Sequence, residues 1–321
     1  MPEAPDIMSM HVSATHKIQL DAGIGRIHMD WLSKFYKGQP NKLFHYTNAH
    51  GFHGIMDSGE IFATHISYLN DSSEYVHLID IMRRAIDLLK TDTPDIHQTE
   101  PIRTVVNYLD SFSSEHIPQV YVTCFSSEEN DLGQWRAYSG GEGGVALGFR
   151  PENLIVAAGI KGANLYQVVY DDNLKIQLVM SILRFGMQEY KRVAEDVESA
   201  RKTEYLDQWL IEFVYWVAML APTLKHQAFQ QEKEWRLITR ADYKTKIELV
   251  PTSAGFKLRI RLPLRAAMEH PIDTRMPVSE VWIGPSPNTQ LINQALDLYL
   301  KRKGMTGVEI KRALIPLRMN I

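Results

Sequence analysis

Cysteine is almost absent: Cys124 is the single one in 321 residues, so the chain can hold no internal disulfide. A reducing compartment is the expected setting. An excess of either charge is missing too. With 35 Lys and Arg against 38 Asp and Glu, the formal net charge is −3. That argues against a surface coated with positive charge for nucleic acid, but leaves room for a local basic face. No apolar run reaches the roughly 18–20 residues that a membrane-spanning helix needs. The opening Met1-Pro2-Glu3-Ala4-Pro5-Asp6 lacks the basic and apolar parts of a secretion signal, so a cytoplasmic protein without membrane attachment is expected. Internal repeats, low-complexity tracts and a Pro- or Gly-rich linker are also missing. What remains is ordinary for a globular chain: 45% apolar and 23% charged residues, long enough to bury a core.

The hydrophobic periods switch repeatedly along the chain. Residues 1 to about 25 are weakly periodic and read as a loosely anchored leader, with a short helix from Ile27 to Tyr36. A strand is expected at Lys42–Thr47, a helix at Ala49–Asp57 with Gly59 as its stop, and a second strand at Glu60–Tyr68. Asp71 and Glu74 form a capping pair for a long helix carrying Tyr75, Leu78, Ile79, Met82, Ile86 and Leu89. Another helix is expected at Ile102–Phe112, strands at Val120–Phe125 and Gly144–Phe149 with a glycine-rich loop between them, and a strand at Leu165–Tyr170. Two long helices fill Asn173–Leu220, with a break near Thr203. Strands follow at Trp235–Thr239, Ile247–Val250, Lys257–Leu262 and Val278–Ile283, then a helix at Thr289–Lys301 and a last strand at Val308–Leu314. Short strands among unequal helices, with no βαβ regularity, indicate an α+β class. The expected division is a leader and short helix at 1–41, then one domain over 42–321 with a helical insertion at about 173–222.

Four segments can carry chemistry. In Phe44-His45-Tyr46-Thr47, strand alternation puts His45 and Thr47 on one face and Tyr46 on the other. A histidine and a hydroxyl so spaced can bind adjacent ligand groups, or His45 is a hydrogen-bonded core residue. Tyr68, at the end of the second strand, can stack on a flat ring, or Tyr68-Leu69-Asn70-Asp71 only turns the chain. In Gln134-Trp135-Arg136-Ala137-Tyr138, an arginine beside glycines suits a phosphate and the aromatics an adenine; a plain loop with a surface arginine explains the same residues. Glu232 and Glu234 share one face of an extended segment, where each feels the other's charge. One can steady an oxocarbenium-like sugar while the other positions or deprotonates an acceptor. Alternatively they pair with Lys225, Lys233 or Arg236 at little energetic value. His50 and His53, near His45 and His65, lack the carboxylate that would complete a standard metal motif, so no metal is expected. Cys124, in an apolar strand without a neighbouring histidine, reads as a core residue. Lys301-Arg302-Lys303, Lys311-Arg312 and Arg318 read as a solvated basic face.

From about residue 43 to 285 the chain resembles an uncharacterised family of bacterial proteins of unknown function. The resemblance rests on Leu43-Phe44-His45-Tyr46-Thr47, Tyr68-Leu69-Asn70-Asp71, Cys124-Phe125-Ser126, Gln134-Trp135-Arg136-Ala137-Tyr138, Gly144-Val145-Ala146-Leu147-Gly148-Phe149 and Glu232-Lys233-Glu234-Trp235-Arg236-Leu237. The order of features is also similar to the ADP-ribosyltransferase superfamily, including toxins that modify DNA or RNA. That resemblance implies a largely antiparallel, split β-sheet with flanking helices. It implies NAD as substrate, held by His45, Tyr46 and Thr47, by Ser67 or Tyr68 near nicotinamide, and by Trp135 and Arg136. It also implies Glu234 as the catalytic carboxylate, with Glu232 beside it. The serine-threonine-serine of the arginine-modifying branch is absent, and the long helical insertion departs from compact toxin domains.

Taken together, the expected function is NAD-dependent ADP-ribosyl transfer to a macromolecular acceptor, nucleic acid or protein, as a bacterial toxin or phage-defence effector with an antitoxin or partner protein. Two rivals stand beside it. One is a hydrolase or nuclease using His45, Glu232 and Glu234. The other is a non-catalytic recognition module using Trp135, Arg136 and the aromatic helix 204–220.

Overall fold

The computed structural model describes residues 19–314 except 21, 28, 29, 31–39, 70–73, 93–98, 112–118, 139–143, 198–201, 243, 253, 254 and 266–275. In chain order its elements are β1 (Leu43–Thr47), α1 (Ala49–Ser58), β2 (Glu60–His65), α2 (Glu74–Asp92), α3 (Glu100–Ser111), β3 (Val120–Ser126), α4 (Leu132–Tyr138), β4 (Val145–Phe149), α5 (Pro151–Gly159), β5 (Asn164–Gln167), α6 (Asp172–Asp196), α7 (Lys202–Ala218), β6 (Glu234–Arg240), β7 (Glu248–Thr252), β8 (Gly255–Pro263), β9 (Val278–Ile283), α8 (Thr289–Arg302) and β10 (Glu309–Arg312). They sort into two compact units. One is built from 39–72, 119–168 and 228–321 and holds every strand among the described residues; the other, from 1–38, 73–118 and 169–227, is helical where described. The helices expected as an insertion at 173–222 thus pack with α2 and α3 in a unit of their own. None of the described helices is long and apolar enough to cross a membrane.

The strand unit is a mixed α+β sheet, antiparallel at every pairing except β9 with β10. Its order is β10-β9-β4-β1-β3-β2-β8-β7, with β6 also on β3 and β5 on β6. The branch has a simple cause. A strand has two edges, and β6 occupies one edge of β3 along its whole length, Val120 to Ser126. The other edge is divided. β1 pairs there only at Ser126, through Phe44, and β2 only at Val122 and Tyr121, through Thr64 and His65. The sheet therefore forks between β1 and β2, which do not pair with each other.

One face of this sheet carries Leu43, Phe125, Leu147, Phe149, Trp235, Leu237 and Leu262, covered by Phe52, Ile55 and Met56 of α1, Leu154 of α5, and Leu296 and Leu300 of α8. Helix α1 starts where Asn48 accepts from the Gly51 N–H at 2.8 Å and ends at Gly59, whose φ of 72° suits glycine. A smaller cluster on the opposite face gathers Phe44, Tyr46, Ala146 and Trp135, with Trp282 against them. There the buried Glu280 accepts from Lys42, from Lys311 at 2.8 Å and from Trp282 Nε1 at 2.9 Å. Burial opposes its ionisation, but these donors outweigh it and hold its pKa below the usual value. Gly148 makes room: a Cβ there would lie 2.6 Å from Glu280 Cγ.

In the helical unit, Leu78, Ile81, Met82, Ala85, Ile86 and Leu89 of α2 are buried at the expected helical spacing. The leader is more structured than its weak periodicity suggests. Residues 19, 20 and 22–27 are helical, Leu20 and Ile24 are buried one turn apart, and Gly23 lies flat against Phe185. Most of the expected Ile27–Tyr36 helix and the Asp71–Glu74 cap lie outside the described residues. Helices α6 and α7 meet where Gly186 faces Phe213; a Cβ there would sit 2.2 Å from the ring Cζ. Trp209 stacks on that ring at 5.4 Å.

That contact leaves no room for a methyl group. Gly186→Ala should destabilise the protein by about 1–3 kcal/mol through overpacking, and a second change, Phe213→Leu, should recover part of the loss, as read by urea denaturation of the single and double variants. Equal midpoints for wild type and Gly186→Ala would disprove the close approach.

Candidate functional site

At the fork, β3 has backbone groups that neither β1 nor β2 reaches. The carbonyl of Cys124 lies between the two pairings and takes a hydrogen bond from a side chain instead: His45 Nδ1 is 2.9 Å from Cys124 O. A carbonyl only accepts, so Nδ1 carries the proton and Nε2 of the neutral ring is left as an acceptor. Burial lowers the His45 pKa below 6.5; the Cys124 bond works against this and the Arg259 charge adds to it. Nε2 has no hydrogen-bond partner among the described residues, and the side chain is half-buried. The His45 ring also packs at 5.7 Å from Phe125. His45 is therefore both a structural plug for the fork and an uncharged acceptor at its mouth.

Glu234 belongs to the other face. Directly paired residues share a face, and Phe44, Ser126 and Glu234 form one paired row. Leu43, His45 and Thr47 alternate away from it, so His45 and Glu234 leave the sheet on opposite sides. On the Glu234 side, Arg236 Nη2 donates to Glu234 Oε2 at 2.9 Å with both side chains almost wholly buried. This is not the exposed, low-value pairing that sequence allows; a buried pair is costly to break. Tyr138, at the end of α4, is near enough for these charges to act on its hydroxyl. Its pKa is raised first by burial, then by the Cys124 thiol and by Glu234 and Glu232. Cys124, expected in the core, is only half-buried here.

Glu232 and Glu234 do not alternate along one strand. Glu232 ends a short 3-10 helix, Gln227–Glu232, and Lys233 between them has a φ of 45°, the one non-glycine positive φ among the described residues. Such backbone costs on the order of 1–3 kcal/mol and concentrates at functional sites. The turn is held by Ser126, whose hydroxyl donates to Glu232 O at 2.8 Å, and by the Ser127 N–H, which donates to Lys233 O at 3.2 Å. Lys233 itself pairs with Glu128 at 2.6 Å.

The remaining expected site residues divide. Tyr46 is buried, with its hydroxyl donating to Glu128 O at 2.5 Å and accepting from the Asp131 N–H at 3.2 Å. It braces the loop before α4 instead of meeting a ligand. Trp135 is also buried, its ring edge-on to Tyr46 at 4.7 Å and Nε1 donating to Asn130 Oδ1 at 3.0 Å. It is unavailable for stacking because Gln134 to Tyr138 form helix α4, not a glycine-rich loop, and its buried side is the Trp135 side. Arg136 on that helix is exposed. Thr47 ends β1 on the His45 face, against Gly51. Ser67 and Tyr68 follow β2 in a 3-10 turn, both exposed, with the Tyr68 ring 5.8 Å from that of His65. Trp209, Phe213 and Trp216 of α7 are buried, while Tyr205 and Tyr215 on the same helix are half-buried. Among the described residues no group of three His, Cys, Asp or Glu is arranged to hold a metal ion.

Arg236, weighed from sequence only as a low-value partner, and Tyr138, only as a stacking aromatic, matter here, and Arg259 was not singled out at all. For Arg236 the signal was available, since Glu234 and Arg236 are two apart in a strand. For Arg259 only the strand pairing reveals it. Residues 134–237 match the model of a family described as Protein of unknown function (DUF2971), a stretch that includes Glu232, Glu234 and most of α4 but not His45. No curated protein and no solved structure matches the chain.

Arg236→Met leaves the Glu234 carboxylate buried beside an apolar side chain and should lower stability by about 3–5 kcal/mol. The double change Glu234→Leu with Arg236→Met should recover most of it. Chemical denaturation of the cycle measures both; additive losses would show that the two side chains do not interact.

Proposed function

We propose that the protein transfers ADP-ribose from NAD to a macromolecule, with the fork as the place where the dinucleotide lies. The observation that carries this reading is His45: a neutral imidazole anchored through Nδ1, with Nε2 free to accept from a ribose hydroxyl. Glu234 supports it as a buried carboxylate beside a strained turn, oriented by Arg236. Because His45 and Glu234 leave opposite faces, one ligand meets both only by passing through the gap between β1 and β2, where no ladder closes the sheet.

In this reading the bond between ribose C1′ and the nicotinamide nitrogen breaks and its electron pair leaves with nicotinamide. Positive charge then spreads over C1′ and the ring oxygen. The Glu234 carboxylate accepts from the 2′-hydroxyl and steadies that charge, while Glu232, at the half-buried end of its 3-10 turn, takes the proton lost by the acceptor as it attacks C1′. Arg236 keeps the Glu234 oxygens in place, and Arg136, exposed on α4, faces solvent where an acceptor would approach.

The test is nicotinamide release from NAD, with water or a cell extract as acceptor. Glu234→Gln keeps a hydrogen bond to Arg236 and should fold, yet lose about 10²–10³ in turnover. Wild type that neither binds nor cleaves NAD under these conditions would end the reading. Acid sensitivity offers a separate check. The folded pKa of His45 is depressed, so Nε2 stays unprotonated below the pH at which a free imidazole is half charged. NAD affinity should therefore hold constant from pH 8 down through about 6.5 and weaken only below it, as calorimetric titration across that range would show. Linkage runs the same way for stability: the unfolded chain takes up this proton first, so His45 costs stability as pH falls through about 6.5.

A further inference from the structure

On β8 the residues Lys257, Arg259 and Arg261 alternate and so share a face. Thr64 pairs with both Arg259 and Val122, which makes it the Cys124 and Glu234 face. The three cations are satisfied unequally. Arg261 takes Glu248 through Nε at 2.8 Å and Nη2 at 3.1 Å, and reaches Glu60 at 3.5 Å. Glu248 stands directly across the ladder from Arg259, yet both of its oxygens go to Arg261. Arg259 makes no ion pair among the described residues, and its Nε is buried with no hydrogen-bond partner there. Its guanidinium lies 5.3 Å from the centre of the Phe62 ring. Lys257 forms no ion pair among the described residues either, and burial and the Arg259 charge lower its pKa.

A half-buried guanidinium without a counter-ion, and a buried N–H without an acceptor, are both costly in a folded protein. The partner that would relieve both is an anion with several oxygens, and the planar guanidinium fork matches phosphate. His45 leaves the opposite face of the sheet, so a ligand held by Arg259 meets its Nε2 only through the gap between β1 and β2, across which the Arg259 charge acts on the ring. We propose that Arg259 and Lys257 hold the phosphates of a nucleotide whose ribose hydroxyl is accepted by His45 Nε2. This rests on the reading above only for the choice of nucleotide; binding requires no bond to break.

Calorimetric titration with pyrophosphate and with ADP tests it on wild type, Arg259→Gln, Arg259→Lys, His45→Ala and the exposed control Lys161→Gln. Both ligands should bind wild type and the control alike. Arg259→Gln should weaken both about 10- to 100-fold, Arg259→Lys should recover only part, and His45→Ala should weaken ADP but not pyrophosphate. Arg259→Gln without ligand should melt no lower than wild type, since it removes an uncompensated charge. Failure of either ligand to bind wild type, or equal affinity in Arg259→Gln, overturns the proposal, as does a lower melting temperature with affinity unchanged. ADP binding that depends on Arg259, in a protein that never cleaves NAD, would uphold this site and reject the transferase reading. NAD cleavage with the same KM in Arg259→Gln would do the reverse.

Discussion

A strand edge that two partners share leaves a stretch of backbone with neither. In this protein that stretch is the middle of β3, and the hydrogen bond from His45 Nδ1 to Cys124 O is what occupies it. The rest of the strand unit depends on this arrangement. With β6 along one edge of β3, the sheet can grow from the other edge only in two directions: through β1 to β4, β9 and β10, and through β2 to β8 and β7. Had β1 continued its pairing past Phe44, Cys124 would be closed off, β2 would have no place, and β8 would lose its route into the sheet. An unpaired buried carbonyl costs about as much as a lost hydrogen bond, so a side chain with a donor at this position is a structural requirement before it is a functional one.

That double role explains why a histidine suits the position. A serine or lysine could also donate to the carbonyl, but a neutral imidazole donates with one nitrogen and still presents an acceptor with the other. Burial and the neighbouring Arg259 charge keep it in that neutral form. The fold thus prepares a polar group at a place where the sheet is not sealed by its own ladder.

Charge in the strand unit is distributed in a telling way. Glu280 is buried under two lysines and a tryptophan, Glu234 is matched by Arg236, and Arg261 by Glu248 and Glu60. Each of these is an acid with a base at contact distance, as buried ions require. Arg259 breaks the pattern although an acid faces it across the ladder. Half-buried Lys257 beside it departs in the same way among the described residues, and the anion proposed above would answer both.

Much of the secondary structure was legible without coordinates, because it follows from local period and local stops. Val278–Ile283 alternates as a strand, α2 keeps a 3.6-residue stripe, and Gly59 ends α1. The α+β class followed from the same signals. The helix at Leu132–Tyr138 was not legible: the glycines that follow it suggested a loop, whereas the contacts of Trp135 with Tyr46 and Asn130 hold about two turns that would not be stable alone. The N-terminal residues were underestimated for the same reason, since Leu20 and Ile24 count for little until Phe185 is brought against Gly23 between them.

By itself, the sequence determined which residues alternate on each strand, and therefore that His45 and Tyr46 point apart and that Glu234 and Arg236 point together. Only the tertiary structure decided which of those faces is the core, that β1 and β2 share one edge of β3, and that Glu248 answers Arg261 and leaves Arg259 alone. Side-chain alternation is a property of consecutive residues. Register, edge sharing and the choice among possible ion pairs depend on which segments come to lie beside one another, and no local pattern records them.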